Sequence, residues 1–266
     1  MSGHVTRCLG VCLAALLLLG GCATSGGITS VDDGIDYKRP DIKPRPAAAE
    51  PNALLGIEYM KAGQDAQAME HLQRALVHDP NLAVAHNGIA VLYEKLGQDE
   101  KAEAHFRRVV EISPNDSDAW NNYGRFLCSN QRYEESTRAF ERALANPLYK
   151  TPQNTLTNLG VCALRDGQRE LAENYFRQAL AKAPNFVPAL YQMASLSWES
   201  GNALQARAYL QRLTRLVRPN AAMLWLGVQV ERELGDRGAA ENYARQLRER
   251  FPTAPETRLL LATEKR

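Results

Sequence analysis

A spacing of thirty-four residues runs through the chain. It separates Tyr59 from Tyr93, Ala68 from Ala102, Leu72 from Phe106, Phe106 from Phe140, and Pro80 from Pro114. After a slip of two residues near Thr151 it resumes, from Ala172 to Ala206 and from Phe176 to Leu210. A fixed period of this length marks a stacked repeat protein, in which each unit buries its apolar face only against its neighbours. A chain of this kind works by binding, so the partner becomes the main question.

Packing explains the recurring positions. Each unit holds two stretches with apolar residues at helical spacing. Gly63, Gly97, Gly167 and Gly201 punctuate the turn inside the unit, where glycine can take a positive φ. Small residues such as Gly56, Gly124 and Ala172 are expected to let two helix backbones approach, and Tyr59, Tyr93, Phe106 and Phe140 to fill the space between units. Units close with Pro80-Asn81, Pro114-Asn115, Pro184-Asn185 and Pro219-Asn220. Proline cannot continue a helix interior, and asparagine is a good N-cap or turn former.

These positions resemble the tetratricopeptide repeat. Unit one reads Asn52-Ala-Leu-Leu-Gly56-Ile-Glu-Tyr59, then Ala68, Leu72, Ala75 and Pro80; unit three supplies Trp120-x2-Tyr123-Gly124, and unit four Leu156-x2-Leu159-Gly160. Six units fit between about Pro51 and Phe251. The resemblance implies an all-α fold over residues 50–266: a right-handed superhelix of six helix-turn-helix repeats with a concave inner face. Glu256–Glu264 reads as a short helix capping the last unit. Unit five departs most, with Met193-Ala194 for Leu-Gly and Ser197 for Tyr, which leaves its helix angle open. The slip falls in Asn146-Pro-Leu-Tyr-Lys-Thr-Pro152, a stiff loop read as a hinge point or a family-specific insert.

The first fifty residues lie outside the repeats. Arg7 precedes an apolar run from Cys8 to Leu19, followed by Gly20-Gly21-Cys22. The run is too short for a spanning helix and has the anatomy of a secretory signal, residues 1–21. The small residues before Cys22 resemble a bacterial lipobox, cleaved ahead of a cysteine whose thiol carries diacylglycerol; an ordinary signal peptide with an incidental cysteine is the alternative. A second acyl chain on the freed amino group would make the anchor stable. Ala23 rather than Asp follows Cys22, which by resemblance to enterobacterial sorting rules directs a lipoprotein to the outer membrane, facing the periplasm. Residues 22–49 are rich in Gly, Ser, Asp, Lys and Pro and read as a flexible tether spanning about 30 Å.

Composition bounds the chemistry. The chain has 266 residues, 45% hydrophobic and 23% charged, with a net charge of +2, an ordinary globular mix. No Lys/Arg run with interleaved aromatics appears, so no nucleic-acid partner is expected. No phosphate loop, Gly-x-Ser-x-Gly or His-Glu-x-x-His is present. His71, His78, His86 and His105 are not paired with Cys or carboxylate at ligand spacing, and His71 and His78 read as partly exposed surface residues. An enzyme, a metal, a cofactor and a small-molecule substrate are therefore not expected. Once the signal is removed and Cys22 lipidated, Cys128 and Cys162 remain, on the first helices of units three and four. Two small buried apolar residues would explain them; in a compartment that permits disulfides, a bridge between them is the expectation.

The wording around the slip is more specific. Trp120-Asn-Asn-Tyr-Gly-Arg-Phe-Leu-Cys128, Asn146-Pro-Leu-Tyr-Lys-Thr-Pro152 and Asn158-Leu-Gly-Val-Cys162 resemble the type IV pilus biogenesis lipoproteins of the PilF/PilW family. The resemblance covers signal, lipobox, tether and all six units. It implies a pilotin, monomeric on its own, whose partner is the pilus secretin, the gated outer-membrane channel. Such a protein promotes the channel's localisation and multimerisation and so supports twitching. Adaptors for peptidoglycan hydrolases, or for outer-membrane protein assembly, share the same anchor and fold and stay open as the alternative.

The repeat register also places a groove. In tetratricopeptide proteins the first helix of each unit lines the concave face. Carried over, the inward positions are Ala53, Ile57 and Met60; Asn87, Val91 and Glu94; Asn121, Arg125 and Cys128; Thr157, Val161 and Leu164; and Tyr191, Ser195 and Trp198. Val91 belongs to an apolar floor, and Asn87, Asn121, Arg125, Tyr191 and Trp198 are the residues expected to meet a peptide segment of the client. On this view, alanine at Asn121 and Arg125 leaves the melting temperature nearly unchanged.

Overall fold

The computed structural model describes residues 42–264, and among them every regular element is helical. A single 3₁₀ turn, Pro46–Ala48, leads into six helix pairs. They are α1 (Ala49–Lys61) with α2 (Asp65–His78), α3 (Ala83–Lys95) with α4 (Asp99–Ile112), and α5 (Ser117–Ser129) with α6 (Tyr133–Leu144). The array continues with α7 (Pro152–Arg165) and α8 (Arg169–Lys182), α9 (Val187–Glu199) and α10 (Ala203–Leu216), and α11 (Ala221–Glu233) and α12 (Arg237–Arg250). A last helix, α13 (Pro255–Glu264), packs on α11 and α12 and buries Thr257 and Leu260 against them. The result is the six-unit superhelix with its terminal cap. The ordered fold begins slightly before the expected boundary: Ala49 is buried, and the Arg45 N–H donates to His78 Nδ1 at 3.3 Å.

Turn chemistry sets the pairing inside each unit. Gly63, Gly97, Gly167, Gly201 and Gly235 take φ between 68° and 76°, the left-handed region that a Cβ disfavours. Unit three has Gln131 at that place with φ 60°, the only non-glycine residue at positive φ among the described residues. The glycines inside the first helices mainly admit a large side chain from the second helix; at Gly56 the backbone also comes close, with the Ala68 carbonyl oxygen 3.1 Å from a built Cβ. A Cβ on Gly56 would lie 2.7 Å from Leu72 Cγ, one on Gly124 2.7 Å from Phe140 Cδ1, and one on Gly227 2.8 Å from the Tyr243 ring. Leu72 also sits 2.9 Å from a Cβ built on Gly88, so it wedges between the first helices of units one and two.

Unit five keeps the geometry despite its wording. Met193 and Ala194 are fully buried, and Ser197 takes the place of the aromatic without breaking α9. Of the four Pro-Asn turns, only Asn220 caps a helix through its side chain, accepting from Met223 N at 2.9 Å. The proline loop between α6 and α7 is braced rather than free. Tyr149 donates its hydroxyl to Asp118 at 3.0 Å and lies 3.1 Å from Thr155 Oγ1, and Asn146 Nδ2 donates to the Asn115 carbonyl at 3.3 Å.

His71 is partly exposed, as expected, whereas His78, expected to be partly exposed, is buried, as are His86 and His105. His86 Nε2 lies 2.9 Å from the Pro80 carbonyl, which can only accept, so this nitrogen carries the proton. Its Nδ1 then accepts from His105 Nδ1 at 2.9 Å. Burial first, opposed by the Pro80 bond, lowers the pKa of His86. Burial, and then the neighbouring His86, pulls His105 down to about 3.

Candidate functional site: the inner groove

First helices of neighbouring units touch one another, α1 with α3, α5 with α7, α7 with α9, α9 with α11, and α11 with α13. Second helices of neighbouring units make no comparable approach among the described residues. The row of first helices is therefore the tighter, concave side. This row carries the positions that the repeat register selected, but the structure divides them into two halves of different character.

In units two to four the groove is stitched shut by its own amides. Asn122 Nδ2 donates to Asn87 Oδ1 at 3.0 Å. One unit on, Asn158 Nδ2 donates to Asn121 Oδ1 at 2.9 Å, and Thr155 Oγ1 donates to the same oxygen at 3.0 Å. Asn121 is only 9% exposed. Arg125 grips Glu94 through both nitrogens, at 2.9 and 2.7 Å, and Val91 packs on the core of units one to three. Asn87, Asn121 and Arg125 thus hold first helices to one another. The carbonyl of Asn121 is used twice and little of its side chain faces solvent, whereas the Arg125 side chain stays 41% exposed beside its bonds to Glu94. An amide on a groove position reads the same in sequence whether it faces a ligand or the next helix.

In units five and six the groove opens. Tyr191 and Trp198 of α9, the other two expected contacts, line one hollow of about 330 Å³ with Trp225 and Gln229 of α11 and Glu256 and Leu259 of α13. Leu259 is 52% exposed, an apolar side chain with a large area still facing water. Three aromatic rings and a leucine around a hollow with a few polar groups make a seat for an apolar segment of a partner chain. Trp225 and Leu259 were missed by the register argument because it stopped at unit five. The period itself would have found them, since thirty-four residues separate Tyr191 from Trp225 and Trp225 from Leu259.

The seam between units three and four brings Cys128 and Cys162 together, with Cα atoms 5.8 Å apart in the span of a disulfide. Around them Phe140 and Leu159 complete a small core, and Ser136 Oγ lies 3.4 Å from Cys162 Sγ while donating to the Gly124 carbonyl at 2.8 Å. Cys22, the expected lipid site, lies outside the described residues.

Helix pairs at a fixed period around a ligand-sized groove define a tetratricopeptide-repeat scaffold. The family model for the tetratricopeptide repeat matches residues 59–121 and 163–225, and a second one matches 116–185. Over 239 residues, 90% of its length, the chain is 29% identical to the type IV pilus assembly protein PilF of Pseudomonas aeruginosa, of which it covers 94%. The crystal structure of PilW, a widely conserved type IV pilus biogenesis factor, aligns with a TM-score of 0.72 at 34% identity, over 80% of this chain and 98% of that one. The Pseudomonas aeruginosa PilF structure aligns at 0.70 and 28% identity, over 82% and 98%. The chain belongs to the PilF/PilW family of tetratricopeptide-repeat proteins.

Proposed function

We propose that this chain is a type IV pilus biogenesis scaffold, held at the outer membrane by a lipid on Cys22 and facing the periplasm. Its client is the pilus secretin, whose localisation and multimerisation it promotes without catalysing a reaction. Family membership supports the pilus role. The observation that carries the binding mode is the open aromatic hollow of Tyr191, Trp198, Trp225 and Leu259. Large, rigid rings bury much area at low entropic cost and dominate protein contacts. The amide-stitched half supplies stiffness, so the hollow is presented on a fixed frame.

Crosslinking capture from membranes tests this reading. The wild-type chain should recover the secretin, and Trp198→Ala with Trp225→Ala should lose it while keeping the far-ultraviolet circular dichroism of the wild type. Capture of a cell-wall hydrolase instead, with normal twitching in the deletion strain, would sink the proposal. The anchor is tested separately: an alkyne fatty acid should label the wild type and fail to label Cys22→Ser.

A further inference from the structure

The edge of the superhelix where second helices end shows a charge asymmetry that the groove does not use. In the first half, the turns on this edge carry Asp79 and Asp116, each bonded to backbone N–H groups of its own turn. In the second half they carry cations. From Arg212 to Arg218 the chain has three arginines, Arg212, Arg215 and Arg218, and no Asp or Glu. Arg212 crosses to the carbonyl of Pro184, two residues beyond the exposed Lys182. Arg250 crosses to the carbonyl of Pro219 at 2.6 Å, beside Arg218. These two bonds tie three successive turns into one continuous basic row. Arg215 and Arg218 are exposed and make no ion pair among the described residues. Between them Leu216 is 40% exposed. Glu249 is the carboxylate nearest to this row in sequence.

We propose that this row is a seat for an anionic phospholipid surface. Unpaired arginines around an exposed leucine have the composition of a membrane interface: guanidinium groups meet headgroup phosphates while the apolar side chain enters the acyl boundary. An acidic protein segment would be attracted by the same charges, but it gives Leu216 no apolar layer to enter. The row would lay the C-terminal units along the bilayer. This adds a second contact to the anchor proposed at Cys22, yet needs neither that lipid nor the client.

Vesicle sedimentation of the fragment Ile35–Arg266 decides the matter. The fragment contains every helix among the described residues, and the solved PilW chain is matched over 98% of its length by 80% of this one. The fragment should bind vesicles of phosphatidylglycerol and phosphatidylethanolamine, release them at high salt, and ignore pure phosphatidylcholine. Arg215→Glu with Arg218→Glu should weaken binding at least about tenfold, since each juxtamembrane arginine is worth roughly fivefold. Leu216→Ser should weaken it less. The control is Arg138→Glu with Arg177→Glu, the same charge change on arginines 65% and 63% exposed. It should bind nearly as the wild type does. Equal binding to neutral vesicles, or an equal loss in the control, overturns the proposal. So does capture of a polyglutamate peptide without vesicle binding, which would give the row to an acidic protein. None of these outcomes bears on secretin capture, so the two proposals fail separately.

Discussion

Arg207 of α10 closes on Glu231 of α11, with Nε 3.0 Å from Oε1 and a second contact through Nη2. The Glu231 side chain is 6% exposed and that of Arg207 27%. The pair joins units five and six on the frame that holds the aromatic hollow. Removing one partner strands a buried charge, which costs about 3–5 kcal/mol. Arg207→Ala should therefore lower the urea midpoint sharply. Arg207→Met combined with Glu231→Leu leaves no charge behind and should recover most of the loss.

Asn121 and Arg125 should separate in a stability assay. Asn121→Ala leaves Thr155 and Asn158 without their shared acceptor and should cost about 1–3 kcal/mol. Arg125, whose side chain is 41% exposed, should lose under about 1 kcal/mol as alanine despite its two bonds to Glu94. Thermal melts of the two single variants, compared at one protein concentration, test the order.

Protein recovered from the periplasm should show no free thiol at Cys128 or Cys162 when titrated unfolded without reductant. The bridge would close a loop with a sequence separation of 34. In the chain-entropy model that is worth roughly 3–4 kcal/mol, all of it through the unfolded state. Serine at both positions should lower the midpoint and leave the helical content unchanged. Two titratable thiols in the wild type would remove the bridge from the account.

The buried histidine pair should make the fold acid-sensitive. The unfolded chain titrates its histidines near 6.5, whereas folded His105 holds out to about 3. Below 6.5 the unfolded state takes up a proton that the folded state refuses, so stability is full above that pH and falls as pH drops toward 3. At about pH 5 the loss from His105 is roughly 2 kcal/mol, and His86, lowered in the same direction, adds to it. Urea midpoints measured at neutral and mildly acid pH should show this slope, and His105→Phe should make it shallower.

The fold was legible because its determinants are periodic. A recurring small residue, a recurring large one and a glycine at each inner turn specify helix pairs, and Gly63 and Gly97 take the expected φ. Even unit three, with Gln131 in the glycine place, could be paired from its neighbours. The groove was legible as a surface and not as a partition. Register puts Asn121 and Tyr191 on the same helix face, but it does not say that Thr155 and Asn158 reach the amide of Asn121. His78, read as partly exposed, was misread for the same reason, and the meeting of His86 with His105 was not read at all. Helical spacing places His86 and His105 on two helices, while their meeting depends on how those helices cross.

Leu259 has a consequence for the ordering of the chain's end. It projects from α13, ten residues long and the last helix of the array, so one wall of the hollow belongs to the element with the fewest neighbours. A helix packed on only two neighbours opens at low free energy. Each fraying event would take Leu259 and Glu256 away from Trp225 and dismantle the seat. Occupancy and helix closure are then linked: a segment held against the rings suppresses the opening of α13, and a loose α13 weakens the grip by the fraction of time it is open. The C-terminal cap would thus report on the client, its amide exchange slowing as the hollow fills.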